Sequence, residues 1–153
     1  MLIYGIDPGK TGAWAAITHT GQFHTCGDMI HNGTHIDVES MWSEICMSRD
    51  GQDCEVILEL VTSMPRDGVA SAFSFGVSFG GAIALAQRFR APWHLVRPAM
   101  WKKAMGLSSD KAESLAMARE LWPEAPLARV KDNGRAEALL LAEYWRRQLF
   151  EAE

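Results

Sequence analysis

Four acidic residues stand where a solvated charge would have little reason to be. Asp7 closes the apolar run Leu2–Ile6 and leads straight into the turn "PGKTG". Glu59 interrupts the hydrophobic "ILEL", and Glu137 sits in "AEALLLA", surrounded by apolar residues. Asp132 lies just ahead of the last helical pattern, a position that the helix dipole favours for any acid. A carboxylate at the margin of a core costs stability unless a cation or a hydrogen bond satisfies it. Four that converge would repel and raise one another's pKa. Hard divalent ions with oxygen ligands, Mg²⁺ or Mn²⁺, resolve that conflict. Two such ions side by side clamp the attacking and leaving oxygens of a phosphodiester. Convergence therefore predicts phosphodiester chemistry.

Convergence depends on the elements that carry these residues. Leu2–Asp7 reads as a short buried strand, Gly12–Thr18 as a second and Gly21–Gly27 as a third, joined by tight turns as in an antiparallel meander. The "HNGTHID" stretch reads as a loop, which rules out a helical metal pair at His31 and His35. Val38, Met41, Trp42 and Ile45 set a helical period over residues 36–48, and "CEVILEL" at 54–60 is a central strand. A helix over Gly68–Arg88, a strand at 93–96, a short helix after Pro98 and a helix over 109–121 capped by Ser108 or Ser109 follow. The last helix runs from about Gly134 to Phe150, with Ala138, Leu141, Ala142 and Trp145 on one face. A meander followed by alternating helices and strands is the layout of a ribonuclease H-like α/β domain, a mixed five-stranded sheet with helices on both sides. With strand 54–60 beside strand 1, Asp7 and Glu59 meet at adjacent strand ends.

Length and composition bound the function classes. A chain of 153 residues, 48% hydrophobic and 22% charged, is expected to form one soluble domain, 1–153, with a proper core. No charged segment precedes an apolar one at the N-terminus, so a signal peptide is not expected and the cytoplasm is the expected location. Cys26, Cys46 and Cys54 are odd in number and lack CxxC spacing, which fits a reducing compartment and disfavours a zinc site. Gly68–Gln87 carries no charge over a membrane-spanning length. Its four glycines and three serines read instead as a buried, closely packed helix, and no membrane partner is expected. The net charge of −4 is unevenly spread. Arg88, Arg90, Arg97, Lys102, Lys103 and Lys111 face Asp110 alone between residues 87 and 111, a local charge of +5, with Trp93 and Trp101 among them.

"GIDPG", a Glu in a hydrophobic strand, "GLSSDKAES" and a terminal "AEALLLA", in that order and spacing, resemble the RuvC family of Holliday-junction resolvases. The middle segments "MPRDGVASAFSFGVSFG" and "RPAMWKKAMGL" resemble the compact forms carried by bacteriophages and prophages. The resemblance runs from residue 2 to about 147 and is weakest over 19–52. It implies a homodimeric, metal-dependent endodeoxyribonuclease that nicks a four-way DNA junction symmetrically. Two Mg²⁺ ions per site are implied, with Mn²⁺ able to substitute and no small-molecule cofactor. Asp7 and Glu59 match the first two catalytic acids of the family, and Glu137 matches its helix acid, usually Asp. Family members place an acid or histidine three or four residues earlier, where this chain has Gly134 and Asn133. Asp132, five earlier, is favoured as the fourth ligand, with Asn133 the alternative. Lys111 matches a lysine near the scissile phosphate, where it would stabilise developing charge. Arg66, Arg97, Lys102 and Lys103 would bind DNA phosphates, and Phe73 or Phe75 would stack into an opened junction.

Rival readings differ in class. An actin-like or sugar-kinase ATPase uses a similar Gly-rich turn but needs a second domain copy that this chain lacks. A non-catalytic branched-DNA binder would leave idle, repelling carboxylates. A related nuclease acting on flaps, forks or RNA–DNA hybrids differs in dimer geometry and loops. Symmetric nicking requires an isologous dimer, and Gly68–Arg88 is the expected contributor. Its stripes Phe75/Phe79/Ile83 and Phe73/Val77/Ala84 cannot both face one sheet.

Overall fold

A computed structural model describes residues 1–33 and 35–151 of the chain. Three strands open it, β1 (Leu2–Asp7), β2 (Ala13–Thr18) and β3 (Phe23–Asp28), followed by the small hairpin β4 (His31–Asn32) and β5 (His35–Ile36). Helix α1 (Val38–Arg49), strand β6 (Cys54–Glu59), helix α2 (Val69–Arg88) and strand β7 (Trp93–Val96) come next. Helices α3 (Pro98–Ala104), α4 (Lys111–Leu121) and α5 (Asn133–Phe150) complete the chain, α5 entered through the 3₁₀ turn Val130–Asp132.

The expected mixed sheet is present, in the order β3-β2-β1-β6-β7, antiparallel within the opening meander and parallel from β1 onward. Its central strands are covered on both faces, which explains why "LIYGI" is apolar without a break. Strand alternation divides the core. Ile3, Ala15, Ile17 and Ile57 face α3, α4 and α5, whereas Leu2, Tyr4, Val56 and Leu58 face α1 and α2. Helix α5 lies flush on the sheet because two glycines admit it. A side chain at Gly5 would run into the Ala138 carbonyl, and one at Gly134 into the Thr11 carbonyl. This close approach buries α5 nearly all round from Gly134 to Glu143, more than the single expected face.

Several expectations are corrected. The "HNGTHID" stretch was expected as loop, but His31–Asn32 pairs with His35–Ile36 as a hairpin, with Gly33 at φ 67°. Helix α1 starts at Val38 because Asp37 caps it, accepting from the Ser40 N–H at 3.0 Å. Helix α4 starts at Lys111, since Asp110, not a serine, accepts from the Ala112 N–H at 2.9 Å. Helix α2 is not the buried helix that its composition suggests. Only Ala82, Leu85 and Ala86 are buried, while Val69 and Phe73 are 89% and 74% exposed. It is long and apolar enough to cross a membrane, yet its second half packs on the sheet's α1 side through Phe79 and Ile83.

Candidate active site

Strand register brings the first two acids together. In the parallel ladder Ile6 pairs with Leu58, so Asp7 and Glu59, one residue on, leave the sheet side by side at the carboxyl ends of β1 and β6. Asp7 is held by the turn that follows it. The Gly9 N–H donates to its Oδ1 at 3.0 Å, and the Gly12 N–H closes the loop on the Gly9 carbonyl at 2.8 Å. Burial raises the Asp7 pKa to about 6, against the Gly9 hydrogen bond. The Glu137 charge adds to the rise, and Lys111 and Lys102 oppose it. Glu59 is pushed up to about 7, first by burial and then by the neighbouring Asp7 charge, opposed by a hydrogen bond from Trp101.

Glu137 comes from the other side. It lies on the first turns of α5, 6% exposed, and reaches the same cluster, since its charge acts on both Asp7 and Glu59. Its Oε1 accepts from the Lys102 ammonium at 2.7 Å, and the buried Ser114 hydroxyl lies 3.4 Å from the same oxygen. Lys102 is therefore not the free surface cation that was expected. It is a half-buried counter-ion of the acidic cluster, and its neighbour Lys103 keeps the exposed position. Adjacent helical residues point about 100° apart, which is why only one of the pair can turn inward.

Asp132 is not brought to the cluster. It is 2% exposed and locked onto Arg129, accepting from the Arg129 backbone N–H at 2.8 Å and from the guanidinium at 2.6 and 3.0 Å. Those bonds hold its pKa below the ordinary carboxylate range, against the effect of burial. The charges acting on it are Arg129 and Arg135, and it is not among those acting on Asp7 or Glu59. Its role is to fasten the 3₁₀ turn that launches α5. Asn133, the first residue of α5, stands four positions before Glu137 and so shares its helix face.

The remaining expected residues are exposed. Lys111, exposed at the first position of α4, is close enough to lower the Asp7 pKa. Arg97 immediately precedes α3, and Arg97, Arg66 and Lys103 are all exposed. Phe73 is exposed on α2, whereas Phe75 lines a 350 Å³ cavity beside the Pro8–Lys10 turn. Trp101 was missed as a site residue. It is fully buried, and its indole Nε1 donates to Glu59 Oε2 at 2.7 Å. The only sequence signal was an aromatic residue inside a basic helix.

The donor set suits a hard divalent ion: three carboxylates, two with pKa raised first by burial and then by neighbouring charge. Among the described residues no three acidic, histidine or cysteine side chains are gathered as a ligand group. Glu137 is turned onto Lys102 and Glu59 onto Trp101 instead. Asp7 and Glu59 remain neighbours through the sheet register, and the Glu137 charge acts on both.

No protein-family model and no curated protein matches the chain. Among solved structures, Thermus thermophilus RuvC in complex with a Holliday junction substrate is similar, with a TM-score of 0.69 and 16% identity. The match covers 97% of this chain and 96% of that one. A second Thermus thermophilus RuvC structure gives a TM-score of 0.58 at 20% identity, with the same coverage. With its sheet order, its helices and nearly its whole length accounted for, the chain has the ribonuclease H-like α/β fold of the RuvC structures.

Proposed function

We propose that this chain is a metal-dependent endodeoxyribonuclease that resolves four-way DNA junctions by paired nicks. The observation that carries the reading is that Asp7 and Glu59 leave the sheet side by side at the carboxyl ends of β1 and β6, with the Glu137 charge acting on both. These three, with the Asn133 amide oxygen, would hold Mg²⁺, or Mn²⁺ in its place. Bound there, divalent ions supply charge stabilisation to the oxygens of a phosphodiester in transfer. The chain's own residues do the rest. Lys111, at the start of α4 and near enough for its charge to act on Asp7, would pair with the scissile phosphate. Arg66, Arg97 and Lys103 hold flanking phosphates and set register. The cavity lined by Phe75, beside the Asp7 turn, offers an apolar slot for an unstacked base.

Paired nicking requires two such sites. The outward face of α2 supports a homodimer, because Val69, Phe73, Gly76, Gly80 and Ala84 repeat at spacings of four and three, the period of a helix–helix seam. A Cβ at Gly76 or Gly80 would meet nothing within 4 Å, so a second backbone can approach closely there. Phe79 packs on the inner face, which supports the Phe73/Ala84 stripe as the seam.

The test compares a mobile four-way junction, a Y-fork and an RNA–DNA hybrid as substrates with Mg²⁺ or Mn²⁺. Symmetric nicks in the junction at a rate well above the other two support the reading. Preferential cleavage of the fork or the hybrid moves the assignment to a related nuclease.

A further inference from the structure

At the pole opposite the carboxylates lies a second polar cavity, of about 430 Å³, formed by Trp42, Arg49, Arg88, Phe89 and Arg90. Helix α2 connects the two ends. Its first turns flank the Asp7 side, and its last residue, Arg88, leads into β7 at the amino ends of the parallel strands. With a rise of about 1.5 Å per residue, Arg88 lies roughly 20 Å along α2 from Phe75 and the cavity beside the Asp7 turn. The two sites are distinct.

Three guanidinium groups line this cavity with little to neutralise them. Arg49 is held rigidly by two carbonyls, donating from Nη1 to Phe89 O at 2.7 Å and from Nε to Gln52 O at 2.8 Å, neither of which cancels its charge. Arg88 lies over the Trp42 ring at 5.8 Å and reaches Glu39 at 3.2 Å in a solvent-exposed pair. Arg90 pairs with no carboxylate among the described residues. Its backbone adds an independent sign. Arg90 occupies the left-handed position after α2, φ 50°, where glycine is the default and a long side chain is strained. Accepting that strain places a third guanidinium at the cavity.

We propose that this cavity binds a phosphate group through Arg49, Arg88 and Arg90, with the forked donors of arginine suited to its oxygens. The group is either a backbone phosphate of DNA running past the far pole or a free phosphate. Calorimetric titration with inorganic phosphate, at ionic strength held constant with chloride, is compared between wild type and Arg90→Gly. Glycine suits the observed φ, so the variant keeps the fold. Phosphate affinity should fall about tenfold in Arg90→Gly, less in Arg90→Lys, and also in the exposed variant Arg88→Gln. Binding of an unbranched duplex is measured alongside. A salt slope about one unit shallower in Arg90→Gly identifies the group as DNA phosphate, and an unchanged slope with lost phosphate binding identifies free phosphate. Equal phosphate affinity and equal slope in wild type, Arg90→Gly and Arg88→Gln would overturn the proposal.

Discussion

Replacing Asp7 with Asn should make the metal-free protein more stable, and only at neutral or alkaline pH. The Asp7 pKa stands at about 6 in the fold against an unfolded value near 3.8. The folded state therefore holds a proton that the unfolded state has released between those limits. Below pH 3.8 the carboxyl is protonated in both states and costs nothing. Above about pH 6 it is ionised in both, and the full cost of a crowded, buried charge is present. A shift of about two units corresponds to about 3 kcal/mol. Asparagine keeps an oxygen for the Gly9 N–H, but that bond loses its charge assistance, about 1 kcal/mol. The net gain is about 2 kcal/mol, or about 4–8 °C in Tm for a chain of this size. Thermal unfolding followed by circular dichroism in EDTA, at pH 4 and pH 8, reads it directly. The expected difference is small at pH 4 and several degrees at pH 8. Adding Mg²⁺ at pH 8 should then raise wild type more than the variant, narrowing the gap. A variant equally displaced at both pH values, or less stable at pH 8, would show that Asp7 is not a strained carboxylate.

Lys102→Met should destabilise the metal-free protein by about 3 kcal/mol in denaturant melts, because it strands the Glu137 charge in the core, while Lys103→Ala leaves stability alone and lowers the salt slope of DNA binding by about one. A stable Lys102→Met protein would mean that the ion pair contributes nothing. Asp132→Asn should lose about 2 kcal/mol through the Arg129 bonds yet still nick junctions at permissive temperature. Complete loss of nicking in that folded protein would return Asp132 to the site. Phe73→Asp should yield a folded monomer by sedimentation, since Phe73 is exposed, whereas Phe79→Asp should unfold the sheet's α1 side. A dimeric Phe73→Asp protein would move the seam elsewhere.

How far the sequence could be read depended on where the deciding information lies. Asp7 and Glu59 were legible because strand alternation and the end of an apolar run are local properties, and parallel pairing of β1 with β6 then sets them side by side. The pairing of Asp132 was not legible, because its partner, Arg129, is three residues away across a 3₁₀ turn, which composition does not signal. Lys102 looked like its neighbour Lys103 in the sequence. Only the docking of α3 against α5 decides which ammonium meets Glu137. The exposure of α2 was half legible, in two apolar stripes that cannot both face one sheet. Apolar content reports that a helix will be covered, not whether its cover belongs to the same chain. Trp101 shows the converse, a buried aromatic whose polar edge is aimed at a site that only tertiary structure creates.

The central claim is that the acids at the strand ends, and not the acid before α5, perform the cut. Gel analysis of an end-labelled mobile four-way junction in Mg²⁺ tests it with three proteins: wild type, Asp7→Asn and Asp132→Asn. The account predicts symmetric nicks from wild type and Asp132→Asn, and none from Asp7→Asn even though that protein still binds the junction. Full nicking by Asp7→Asn, or no nicking by wild type at any Mg²⁺ or Mn²⁺ concentration, would contradict it.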